Sequence, residues 1–151
     1  MSLFSYLPSM DIKEVQEKII KEFSLFEDWT ERYKYIIKHG DKLEPLPDEE
    51  RVEENLVKGC QSRVWLTASL DNDKIVFKAD SDAAITKGLV SLVVRLYSNQ
   101  KPDDILAVNP DFISKIGMQQ HLSPTRANGL VSMVKQMKIY AMAYKSKLQT
   151  S

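Results

Sequence analysis

A single cysteine, Cys60, in 151 residues removes several classes of protein at once. No disulfide can form within the chain, and neither a cysteine-rich zinc site nor an iron–sulfur cluster held by this chain alone can be built. Histidine is nearly as scarce. His39 and His121 stand far apart and show no ligand spacing, so no metal site is expected. No apolar run approaches the roughly 20 residues that a membrane-spanning helix needs. The opening stretch Met1-Ser2-Leu3-Phe4-Ser5-Tyr6 has neither the basic start nor the long apolar core of a secretory signal. A cytoplasmic protein without membrane contact is therefore expected. There is no repeat, phosphate loop, dinucleotide-binding fingerprint or recognisable acid/base carboxylate pair, and no cofactor is expected.

What remains is an ordinary globular composition, 43% hydrophobic and 28% charged, long enough for one domain with a real core. A single domain over 1–151 is expected, with 1–10 as a loosely ordered tail. The 21 basic and 21 acidic side chains cancel, but unevenly. Residues 1–60 carry 14 acidic and 9 basic groups, net −5; the remainder carries 7 and 12, net +5. Such a split can orient a protein partner, or simply reflect where surface charges fell. The basic residues are scattered, so nucleic acid is not an expected partner.

Hydrophobic spacing gives the order of elements. Ser9 and Asp11 are candidate N-caps for a helix over about 12–26, Asp11 with Glu14 reading as a capping box, with Ile12, Val15, Ile19 and Phe23 as its buried stripe. After a break near Glu27-Asp28, Trp29, Tyr33, Ile36 and Ile37 form the face of a second helix, with Gly40 as its stop. Pro45, Pro47 and the acidic run Asp48-Glu49-Glu50, then Glu53-Glu54, read as an exposed connection. Alternation over Val64–Ser69, a turn at Asp71-Asn72-Asp73 and Ile75-Val76-Phe77 predict two antiparallel strands. Leu56-Val57 would add a short third. Ser81 is the expected N-cap of a third helix carrying Ile85, Leu89, Leu92, Val93 and Leu96 inward. Two short helical pieces follow, about 103–107 and 111–116. Ser123-Pro124 then opens a last helix reaching about Lys145, with Leu130, Val134, Met137 and Ala141 at core spacing. Strands grouped between helices indicate an α+β fold: a small antiparallel sheet of about three strands packed with helices.

Cys60 sits in Val57-Lys58-Gly59-Cys60-Gln61-Ser62-Arg63-Val64-Trp65, where a loop feeds a strand. On residue type alone, a lone cysteine is more often a small buried hydrophobe than a reactive group. Gly59 permits a sharp turn and close approach, while Lys58 and Arg63 flank the thiol and favour its thiolate. His121, just ahead of the last helix, is either a base for Cys60 in a thiol hydrolase or a histidine bonded within a loop. His39, beside Gly40, reads as a partner for a helix C-terminus. Arg126 lies in the first turn of the last helix, where positive charge opposes the dipole, so helix stability does not explain it. Asp80-Ser81-Asp82 is accounted for by capping.

Taken together, Gly59–Trp65, then Asp80-Ser81-Asp82-Ala83-Ala84-Ile85 with Lys87-Gly88-Leu89, then Gln120-His121-Leu122-Ser123-Pro124-Thr125-Arg126 with Gly129-Leu130, resemble the three signature stretches of the SufE family. Trp29-Thr30-Glu31-Arg32-Tyr33-Lys34-Tyr35-Ile36-Ile37 resembles that family's N-terminal helix. The resemblance runs from about residue 11 to 147. It implies a fold similar to that of the IscU scaffold proteins, although one cysteine here replaces the three of a cluster scaffold. It further implies a sulfur acceptor for a pyridoxal-phosphate-dependent cysteine desulfurase, which stimulates that enzyme and delivers sulfur to an Fe–S scaffold complex. Such a protein is a persulfide carrier, not an independent enzyme, and is either a monomer or a homodimer. Cys60 maps to the family cysteine. Gly59, Gln61 and Arg63 flank it, and Asp82, His121 and Arg126 map to positions lining or bordering its loop. The outward face of the sheet and the acidic 48–54 stretch are candidate contact surfaces.

Overall fold

Aspartate starts the first two helices in the same way. Asp11 Oδ1 accepts from the Glu14 N–H at 2.8 Å and opens α1, Ile12–Phe23; Asp28 Oδ1 accepts from the Glu31 N–H at 2.8 Å and opens α2, Trp29–Gly40. Each cap satisfies a backbone donor that the helix cannot, worth about 1 kcal/mol. The computed structural model describes residues 10–150. Apart from Met10, the expected loose tail lies outside the described residues. The first helix buries Ile12, Val15, Ile19 and Phe23, the stripe read from spacing. It stops at Phe23 instead of 26 because the chain folds back there: Phe26 N–H bonds to Phe23 O, and its ring packs 4.9 Å from that of Tyr35.

Among the described residues the sheet has two strands. β1, Val64–Asp71, and β2, Lys74–Ser81, pair antiparallel from Val64 opposite Ser81 to Asp71 opposite Lys74, and Asn72 takes the positive φ of the turn. The third strand expected at Leu56-Val57 shrinks to one bridge, Leu56 to Trp65, and a bond from Val57 N–H to Val64 O at 2.8 Å. A 3-10 turn over Glu53–Asn55 precedes it and a turn at Lys58-Gly59 follows, so only two residues stay extended. The beginning of β1 is also covered on both faces. Val64, Trp65 and Leu66 are all buried, with the Arg51 guanidinium 5.8 Å from the centre of the Trp65 ring.

The long apolar helix α3, Ala84–Tyr97, is central and packs against α1, α2 and β2. Short helices α4 (Pro102–Ala107), α5 (Phe112–Lys115) and α6 (Met118–His121) lead into α7, Pro124–Thr150, which covers α3 and α4. Sequence spacing did not anticipate α6, and α7 continues past Lys145. One hydrophobic core joins the inner faces of all four long helices to Val64, Leu66, Ile75 and Phe77 of the sheet. The architecture is α+β.

Helix α2 stops at Gly40, as expected, but for a reason other than a free turn. Gly40 is the last helical residue of α2, and a Cβ placed there would meet Gly88 N at 2.9 Å. A Cβ on Gly88 would in turn lie 2.2 Å from Ile36 O. The two glycines let α2 and α3 cross in backbone contact. His39, one residue before, differs from expectation. Its ring turns into this crossing, where Nδ1 lies 2.7 Å from Ser91 Oγ. Ser91 gives its own proton to Gly88 O at 2.6 Å, so His39 is the donor through Nδ1. Burial, aided by the nearby Arg95 and Lys42, pulls its pKa down to about 4, so it carries no charge with which to serve a helix dipole at neutral pH.

Candidate functional site

The loop at 58–63 leaves the core at Val57 and returns to it at Val64, and each end is fastened separately. At the first end Val57 N–H holds Val64 O. At the other, Arg63 is bracketed by β2 and the residues after it. Its N–H donates to Asp82 Oδ1 at 3.1 Å, and its carbonyl accepts from the Ser81 hydroxyl at 2.8 Å and the Asp82 N–H at 3.3 Å. Asp80-Ser81-Asp82 therefore does different work from the capping expected. Helix α3 begins only at Ala84 with no side-chain cap, because β2 extends through Ser81 and commits these side chains to the loop. Asp80 itself is buried and accepts from Arg51 at 2.5 Å and from the Ser81 N–H at 2.8 Å, with Lys87 Nζ 3.6 Å away. Arg51 thus ties the acidic 48–54 segment to the base of the same loop.

Between these fastenings the backbone turns at Gly59, whose φ is +93°. Only glycine adopts this region without cost, and a Cβ here would also fall 2.6 Å from Ser132 Oγ on α7. The turn directs Cys60 inward against α7. Its side chain is half-buried, and the thiol donates to Gly129 O at 3.6 Å. Burial pushes the thiol pKa up. This corrects the expectation that Lys58 and Arg63 would favour the thiolate: both are exposed and turned to solvent, and desolvation dominates.

Beside the sulfur lies a cavity of about 320 Å³. The loop contributes Cys60, Gln61 and Ser62; α3 contributes Thr86, Leu89 and Val90; α7 contributes Arg126, Gly129 and Met133. In its wall the Thr86 hydroxyl donates to the Ser62 hydroxyl at 3.4 Å. Among the described residues the cavity lining contains one cation and no carboxylate or histidine. Arg126 is thereby accounted for. Its backbone N–H takes the Ser123 hydroxyl as cap at 3.2 Å, while its side chain lines the cavity that Cys60 faces.

The structure does not bring His121 into this lining. The imidazole ends α6 and stacks flat on Trp29, with ring centres 4.4 Å apart and planes at 8°. The base that a thiol hydrolase would require is not in place. Arg63 and Asp82 act on the loop backbone, whereas Gln61 and Arg126 share the cavity with Cys60. Sequence reasoning missed Thr86, Ser62 and Gly129 as cavity residues. A threonine and a glycine on core-facing helices were the available signal. Among the described residues, no three His, Cys, Asp or Glu side chains are placed to hold a metal ion, and no helix is long and apolar enough to cross a membrane.

Comparison with known proteins places the chain in a family. Residues 17–141 match the family model SufE, described as an Fe-S metabolism associated domain. An uncharacterised SufE-like protein of Synechocystis is 39% identical over 127 residues, spanning 84% of this chain and 80% of that protein. The solution structure of a hypothetical protein from Thermus thermophilus has a TM-score of 0.73 over 87% of this chain and 96% of its own, at 19% identity, which shows a common fold. With the family model spanning most of the sequence, the chain belongs to the SufE family and takes part in Fe–S metabolism.

Proposed function

We propose that this protein receives sulfur on Cys60 as a persulfide from a pyridoxal-phosphate-dependent cysteine desulfurase, stimulates that enzyme, and passes the sulfur to an Fe–S assembly scaffold in the cytoplasm. The observation that carries this reading is the half-buried Cys60 thiol facing a cavity with Arg126 in its wall and no general base. A carrier needs no base for hydrolysis. It needs a nucleophilic sulfur that is sheltered at rest, since a persulfide is easily reduced or oxidised.

The chemistry is thiol exchange. Cys60 loses its proton to solvent, and the thiolate attacks the outer sulfur of the desulfurase persulfide. A new S–S bond forms on Cys60, the donor S–S bond breaks, and the desulfurase thiolate leaves. The raised thiol pKa and the bond to Gly129 hold the resting group protonated and turned inward. Loading therefore requires the 58–63 loop to swing out on docking, with Gly59 as the pivot and exposure of the buried thiol to water as the event that lets the thiolate form. The protein turns over nothing by itself.

Intact-mass measurement after incubation with a cysteine desulfurase and cysteine tests this. The expected product is heavier by one sulfur atom, is absent in Cys60→Ser and is removed by reductant. A desulfurase stimulated equally by Cys60→Ser would mark a non-covalent regulator and overturn the carrier reading.

A further inference from the structure

The cavity beside Cys60 is far larger than one sulfur atom. A sulfur atom fills a space similar to the ~30 Å³ share of a water molecule, whereas the cavity measures about 320 Å³. The walls are not suited to water alone. Leu89, Val90, Leu130 and the Met133 thioether make one side apolar and polarisable, while Ser62, whose hydroxyl accepts from Thr86, and Arg126 offer donors. Sulfane sulfur is soft and poorly hydrated, and its chain ends in an anion. That combination fits these walls, and no carboxylate in the lining repels the charged end. Gly129 matters for the same reason. It leaves the space against Cys60 Sγ open, since even a Cβ there would stand 3.5 Å from the sulfur.

Building on the carrier reading above, we propose that Cys60 accepts more than one sulfur, growing a short polysulfide chain of two or three sulfane atoms inside this cavity. The Cys60 persulfide anion attacks the outer sulfur of a second, protonated donor persulfide. One S–S bond forms and the donor S–S bond breaks. The donor leaves as its thiolate and the new terminal sulfur keeps the proton. Sulfane sulfur is moved, not made, so no oxidant or reductant is consumed. Each added S–S link extends the chain by about 2.05 Å. The protein then acts as a small sulfur reservoir, able to meet the several sulfurs of one cluster from a single docking with the scaffold.

The test is intact mass of the wild-type chain loaded by a cysteine desulfurase with excess cysteine, desalted and measured without reductant. Species with two and three added sulfurs are expected, all on Cys60. In Gly129→Leu, where the new side chain enters the cavity from a helix interior that tolerates it, the distribution should collapse to one sulfur. Gly129→Ala should fall between. A wild type that stops at one sulfur, or a Gly129→Leu distribution equal to wild type, overturns the reservoir while leaving the carrier intact. A Gly129→Leu chain that takes none passes the decision to Gly129→Ala, which overturns the reservoir if it matches wild type. No sulfur on the wild type under any condition overturns the carrier itself.

Discussion

The Cys60 thiol donates to the carbonyl oxygen of Gly129 across 3.6 Å, joining the loop before β1 to the second turn of α7. A sulfur–carbonyl bond this long is weak, so the resting position of Cys60 is set by the loop around it and is easily given up. Cys60→Ser should leave stability within about 1 kcal/mol of wild type, because a hydroxyl keeps the same acceptor. Thermal melting checks this, and a large loss would show that the sulfur is a core-packing element instead.

Gly59→Ala should be costly for two separable reasons. The positive φ disfavours alanine by about 1–2 kcal/mol, and the new Cβ overlaps Ser132 Oγ. Adding Ser132→Ala, which removes the Oγ without placing glycine inside α7, should recover only the second part. Urea unfolding of the single and double variants measures both. The rate of sulfur acceptance should fall in both variants if the pivot is at Gly59.

Arg51→Met removes the principal partner of buried Asp80, leaving Lys87 at 3.6 Å. Breaking a fully buried ion pair on one side costs about 3–5 kcal/mol, and partial solvent access at Arg51 together with Lys87 should keep the loss nearer ~1–2 kcal/mol. The segment over 48–57 should then become the first site of limited proteolysis. Cleavage unchanged from wild type would show that Arg51 does not tether it.

Stability should fall on acidification in two stages. His39 is held neutral, its pKa lowered from 6.5 to about 4 by burial and by Arg95 and Lys42, so its contribution is full above pH 6.5 and lost as pH falls from there towards 4. Glu22 is held ionised, with its pKa lowered from 4.5 to about 2 by hydrogen bonds from Arg95 and Tyr35. Its contribution is full above pH 4.5 and lost as pH falls towards 2. Urea midpoints at about pH 7.5 and about pH 5 should differ in wild type, and His39→Gln should remove most of that difference. An equal drop in both proteins would place the titrating group elsewhere.

How far these features are legible before folding depends on their range. Caps and stripes are local: Asp11 speaks to Glu14, and Ile12, Val15, Ile19 and Phe23 follow helical spacing, so α1 could be read directly. Its end could not, because Phe26 folds back onto Tyr35, whose position is set by another helix. The position of Cys60 at a loop–strand junction was readable from the break between apolar runs. Its depressed acidity was not, since flanking lysine and arginine suggest the opposite and only the backbone turn decides which side faces the protein. The aspartates around Ser81 look like capping residues in one dimension. Their partner, Arg63, is 19 residues away from Asp82 and reaches it only when the hairpin closes. His121 and Cys60 looked like a pair by type, yet Trp29 claims the imidazole.

The backbone crossing at Gly40 and Gly88 has a mechanical consequence for the sulfur site. Helix α3 carries one wall of the cavity on one side and is seated without clearance against α2 on the other. It is a stationary jaw. Any widening of the chamber therefore falls to the opposite jaw, the cysteine loop and the start of α7.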